Sequence, residues 1–318
     1  MFSYPLTKSE IEINQIRRAA NCIGAAYAFI FLPRWLLEFF IRNSSGFARF
    51  IYFVASDTVY SAIFDMVISF LTFVPPFLLF LIILRRSPQV INFSCPKRRS
   101  LPLILIGVGI CQIGEIMTLL FSDAISIFGE SASVASPALE TGVYGVVFSV
   151  LSIAVVPALV EEFALRGVVL GALRHHGEGF AILISSILFG LMHLNLTQTP
   201  FAFVVGLGLG FIAVQGGSVF LAVIVHFINN LTSIIFSYLG SELGFISRSA
   251  IFCSYSAAVL AIGILGLMLC RPRKELFSLN RGDGELSFKK KTAVFFSSPV
   301  MIAAMALTVI EFIRIQIG

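Results

Sequence analysis

Residues 160–171 read VEEFALRGVVLG. Glu161, Glu162 and Arg166 interrupt a run that is otherwise apolar, and apolar runs continue on both sides of it. A charge at the centre of a bilayer costs about 2.5–3.5 kcal/mol, so such residues face a partner or a water-filled cavity. The stretch therefore reads as a membrane-crossing helix that carries chemistry. Composition agrees. Hydrophobic residues make up 58% of the 318 and charged residues 12%, with a mean hydropathy of +0.96. Soluble domains average about 45–50% apolar and about 25% charged. Too little polar surface exists to cover a water-soluble body, and a disordered chain is excluded by the same numbers. The five Cys are an odd count, and Cys22, Cys111, Cys253 and Cys270 lie in or at the ends of apolar runs. No disulfide framework is visible.

Working outward, a bilayer-crossing helix needs about 20 mostly apolar residues. Nine candidates fall at roughly 19–41, 62–84, 101–123, 144–166, 178–196, 200–214, 218–240, 249–270 and 293–313. The first is interrupted by Pro33, Arg34 and Glu38 and is expected to be tilted or broken. The sixth is short, which leaves eight spans as an alternative. The expected fold is an all-α polytopic bundle of 8–9 spans. Its parts are N-terminal helices over 1–140, a catalytic core over 141–240 and C-terminal helices over 241–318.

Charge gives an independent test of the span count. Lys8, Arg17 and Arg18 precede the first span. Arg85, Arg86, Lys97, Arg98 and Arg99 lie in one loop, and Arg271, Arg273, Lys274, Arg281, Lys289, Lys290 and Lys291 in another. The segment 124–143 carries Glu130 and Glu140 and no Lys or Arg. Nine spans with the N-terminus inside place every basic segment in the cytoplasm, as the positive-inside rule requires. The first 18 residues mix both charge signs, and the apolar run after them is longer than a signal-peptide core. No soluble domain and no internal repeat is visible, so any activity sits in the membrane part.

Several intramembrane polar residues are scattered. Arg34 and Glu38 share a helix face at i, i+4 and are expected to pair. Asp65 lies one turn inside its span, within reach of the interface. Glu115 is deep in 101–123 with no partner visible in the sequence. The rest concentrate between 161 and 230, in VEEFALRGVVLG, SSILFGLMHL (185–194) and VIVHFINNL (223–231).

Glu162 and Arg166 stand four apart in the favourable order, so Glu162 is the better partner for Arg166. Glu161 points about 100° away and is left to face something else. Pro157 removes the α-helical bond to the carbonyl of Ile153 and should kink the helix nearby. Phe189 and His193 share a face at i, i+4, and so do His226 and Asn230; Asn229 is rotated away and is the weaker candidate. The Gly206/Gly210 and Gly167/Gly171 spacings suit close helix packing. Taken together, a desolvated Glu161 can take a proton from water with His193 beside it. His226 and Asn230 offer donors to an oxyanion. No Ser or Cys is paired with a His base, so an acyl-enzyme is not favoured. These parts fit water-activated hydrolysis of a peptide bond.

The motifs E-E-x-x-x-R (Glu161, Glu162, Arg166), F-x-x-x-H (Phe189, His193) and H-x-x-x-N (His226, Asn230) resemble the ordered trio of the CPBP (Abi) intramembrane protease family. The resemblance covers about 80 residues. It implies a glutamate protease opening toward the cytosolic side, with Glu161 and His193 activating water. It further implies His226 and Asn230 as oxyanion donors, with Glu162, Arg166 and Phe189 in support. The implied substrate is a peptide or prenylated protein of CAAX type, a leader or signalling peptide, or a target linked to bacteriocin immunity. Membrane lipid is the surrounding partner, nucleic acid is not expected, and oligomeric state is open. The implied location is a prokaryotic plasma membrane.

No cofactor is expected. A His₂Glu zinc site at Glu161, His193 and His226 is the alternative, although no HExxH is present. Two other readings stay open. One is a non-enzymatic scaffold or immunity factor of the same fold. The other is a proton-coupled transporter relaying through Asp65, Glu115 and the Glu/His cluster; it predicts a repeat symmetry that the sequence lacks.

Overall fold

The computed structural model describes residues 6–84, 100–126, 142–242, 244–270 and 273–317, and every regular element among them is helical. Arg85, Arg86, Lys97, Arg98, Arg99, Glu130, Glu140 and Arg271 lie outside the described residues. Among the described residues, eight helices are long and apolar enough to cross a membrane. The protein is a multi-pass membrane bundle. Outward-facing Phe70, Leu120 and Ile302 are half or more exposed, as lipid-facing side chains are. One continuous apolar core runs from Ile16 to Ala304.

The interrupted first span is α1 (Lys8–Ala28), a 3-10 turn over Phe29–Phe31, and α2 (Leu32–Asn43). Thr7 and Glu10 cap α1 reciprocally, which satisfies backbone N–H groups that a helix start leaves bare. Pro33 falls in the first turn of α2, where its missing N–H costs nothing. The short α3 (Ser45–Ala55) precedes α4 (Thr58–Ile83) and α5 (Ser100–Ser126). Then comes α6 (Val143–His176), 34 residues long and π-helical over Val150–Val155 and Phe163–Leu170. It is followed by α7 (Glu178–Leu191), α8 (Gln198–Gly216), α9 (Val219–Glu242) and α10 (Phe245–Leu269). A short C-terminal piece, α11 (Phe288–Phe296), leads into α12 (Pro299–Ile317).

Three boundaries differ from the sequence reading. The short segment is the fifth and not the sixth. The 14 residues of α7 reach about 21 Å, less than the roughly 30 Å of hydrocarbon, whereas α8 is full length. Apolarity continued past Leu191, but the chain turns there, and Leu194 takes a positive φ of 50°. The fourth span does not end at Arg166. It continues to His176, so Glu161 and Glu162 lie near its middle. The last segment begins at Phe288, and a break at Ser297–Ser298 divides it.

Side-chain contacts fix which ends lie together. Glu12 accepts from the backbone N–H of Leu286 at 2.9 Å and pairs with Lys291 at 3.2 Å; its carboxylate is also 3.7 Å from His176. Arg18 donates to the carbonyl of Ile83 and Gln215 to that of Ser278. At the other end Trp35 donates to Glu311 at 2.8 Å, and Arg314 pairs with Glu38 and Glu311. The expected Arg34–Glu38 pair forms at 3.0 Å and is part of this second cluster. Successive segments therefore alternate in direction, with α7 and α8 entering and leaving at one end. The N-terminus, the C-terminal end of α6 and the 277–291 segment share that end.

Candidate active site

The π-helical turns of α6 bracket the two carboxylates. Such turns place an extra residue in the register and often occur at functional positions. Glu162 is fully buried and so is Arg166, and they meet at 2.8 Å through Glu162 Oε1. The same oxygen accepts from His226 Nδ1 at 2.9 Å. Arg166 Nη2 donates to the carbonyl of Gly206 at 3.2 Å, and the guanidinium lies 4.3 Å from the centre of the Phe189 ring. A buried guanidinium is thus held by a carboxylate, a carbonyl and a π face. Gly206 allows this because it packs against α7: a Cβ there would sit 3.1 Å from Ser186.

Phe189 is the hub. Its ring centre is 5.1 Å from that of His193 and 5.6 Å from that of His226, edge-on to both. His193 lies in the turn after α7 and not within the helix. Its Nδ1 donates to the carbonyl of Phe189 at 2.8 Å. A carbonyl only accepts, so this bond sets the tautomer. Asn195 holds the same turn, its side-chain oxygen accepting from the N–H groups of Thr197 and Gln198 at 3.0 Å. Both imidazoles are therefore fixed through Nδ1, which leaves each Nε2 for other work.

Glu161 is oriented differently from its neighbour. Its side chain is 16% accessible, and its Oε2 comes within 4.0 Å of His226 Nε2. A gap of that size accommodates bridging by water. Asn230 Nδ2 donates to the carbonyl of Ile153 at 3.1 Å, the group that Pro157 leaves without its α-helical partner. Asn229 donates to Asn230 Oδ1 at 3.3 Å.

The structure thus joins Glu162, Arg166, Phe189, His193 and His226 by direct contacts and sets Glu161 against His226. Asn230 reaches α6 one turn or more away, at Ile153. Gly206 and the Ile153 carbonyl were not singled out as site groups by the sequence. The first was legible only as a packing motif, and the second was flagged by Pro157. Among the described residues, no three or more His, Cys, Asp and Glu side chains are grouped to hold a metal ion.

Residues 143–232 match the family described as type II CAAX prenyl endopeptidase Rce1-like. The Rce1-like match takes in the three motif segments, and it covers less than a third of the chain. No curated protein and no solved structure matches the chain. The matched segment contains the motif residues Glu161 to Asn230 that carry the resemblance.

Proposed function

We propose that this chain is an intramembrane endopeptidase that hydrolyses a peptide bond with a water held at Glu161. The observation that carries the reading is the shared Glu162 oxygen. By accepting from both Arg166 and His226, it leaves Glu161 free of structural duty and turns His226 Nε2 toward it. Glu161 takes a proton as water attacks the scissile carbonyl carbon, and the carbonyl oxygen becomes an oxyanion. The remaining N–H of the Asn230 carboxamide and the Nε2 side of the His226 ring face that oxyanion as its stabilising groups. His193 presents Nε2 as an acceptor for the attacking water. When the carbon–nitrogen bond breaks, the proton held by Glu161 passes to the leaving amine.

This mechanism needs no metal. The substrate class we propose is a membrane-borne peptide, prenylated at a CAAX end or carrying a leader segment. The basic segments that share one end support a cytoplasmic N-terminus, and we place the protein in a prokaryotic plasma membrane. The test is purified wild type and Glu161→Ala in detergent, incubated with isoprenylated CAAX peptides and leader peptides, with and without a chelator, and read by mass spectrometry. Cleavage by wild type alone, surviving the chelator, is expected. Cleavage abolished by the chelator would transfer the chemistry to a metal. A cellular phenotype that Glu161→Ala leaves intact would favour a scaffold.

A further inference from the structure

Glu115 is the intramembrane carboxylate the proposed mechanism does not use. It is half-buried on α5, and among the described residues it forms no hydrogen bond or ion pair. It lines a cavity of about 20 Å³ between α5, α9 and α10, together with Gln112, Asn229, Thr232 and Tyr255. That volume holds one water-sized body. We infer that this cavity is a binding site for a small monovalent cation, with sodium as the ion that fits.

The hydrogen-bond inventory supports a cation. Thr232 donates its hydroxyl proton to the carbonyl of Ile228 at 2.9 Å. Tyr255 must then donate in its 3.2 Å contact with Thr232. Both hydroxyl protons are spent, and oxygen lone pairs remain for the cavity. Gln112 donates to Ser256 at 3.0 Å and Asn229 to Asn230 at 3.3 Å, so each carboxamide oxygen is free of those bonds. One carboxylate and four neutral oxygens are the ligand chemistry of a hard cation. A single carboxylate balances a single positive charge; a divalent ion would leave excess charge in a low-dielectric region. No His lines the cavity, and Cys111, which does, is a single thiol where soft metals take several sulfur or imidazole ligands.

The site also touches the chemistry. Asn229 lines the cavity and donates to Asn230, so an ion held by the Asn229 oxygen fixes the carboxamide that orients Asn230. This coupling rests on the protease reading; the cation site itself does not.

The experiment needs no turnover. Purified full-length protein is unfolded thermally in detergent while sodium chloride replaces choline chloride at constant ionic strength. We expect a saturable rise in Tm of roughly 3–8 °C with sodium. Glu115→Gln, which keeps the volume and removes the charge, should abolish the rise. Thr232→Val, which removes one oxygen at nearly constant volume, should raise the half-saturating sodium about tenfold and covers the case in which Glu115→Gln does not fold. Equal Tm in sodium and choline would overturn the proposal, as would a sodium response retained in Glu115→Gln. So would a Tm that follows pH and ignores sodium, since Glu115 would then hold a proton. A sodium response in a protein that cleaves no peptide would leave the ion site standing and remove the protease reading.

Discussion

Asn230 donates to the carbonyl of Ile153 across 3.1 Å, and Ile153 is the residue whose α-helical partner Pro157 cannot supply. A defect in one helix is thereby satisfied by the side chain of another. Asn230→Ala should strand that carbonyl and lower stability by about 1–2 kcal/mol, and it should lower cleavage by about 10²–10³-fold. Adding Pro157→Ala supplies a backbone N–H and should recover part of the stability without recovering cleavage. Thermal unfolding and peptide cleavage on the same preparations check both; joint recovery would sink the assignment of Asn230 to the reaction.

Adjacent carboxylates should respond in opposite ways. Glu162→Ala leaves the fully buried Arg166 without its charge partner, and removing one member of such a pair costs about 3–5 kcal/mol. Glu161→Ala breaks no hydrogen bond among the described residues. Its Tm should stay within a few degrees of wild type while cleavage is lost. A Glu161→Ala protein that unfolds as readily as Glu162→Ala would contradict the division of labour.

The contact between α5 and α10 is set by two glycines. A Cβ at Gly109 would lie 2.9 Å from the Cα of Gly263, and the backbone there cannot yield as a flexible side chain does. Gly109→Ala should push the helices apart and cost about 1–3 kcal/mol. The cavity beside Glu115 lies near this crossing, so the same variant should also weaken any sodium response measured by thermal unfolding.

Glu12, Lys291 and the N–H of Leu286 form a buried clasp between α1 and the C-terminal segment. Lys291→Met strands Glu12 and should cost about 3–5 kcal/mol, seen as faster limited proteolysis within 277–287. Glu12→Gln with Lys291→Met removes both charges and should be more stable than Lys291→Met alone. Additive losses in the double variant would show that the two charges are not coupled.

Much of this protein is determined by its sequence alone. An 18-to-25-residue apolar stretch without water around it must close its backbone bonds internally, so the helical bundle and most of its spans follow from composition and run length. The Glu162–Arg166 pair followed from i, i+4 geometry. Tertiary structure decided the rest. Run length could not show that α7 stops at Leu191, because Met192, Leu194 and Leu196 carry the apolar pattern on into the turn. Periodicity could not show that α6 continues past Arg166 in π-helical turns. Above all, the sequence placed Glu162 with Arg166 but not with His226, 64 residues away, and it could not bring Glu115 beside Asn229. Contacts between distant segments depend on how helices pack, and spacing along one helix carries no information about the face that a second helix presents.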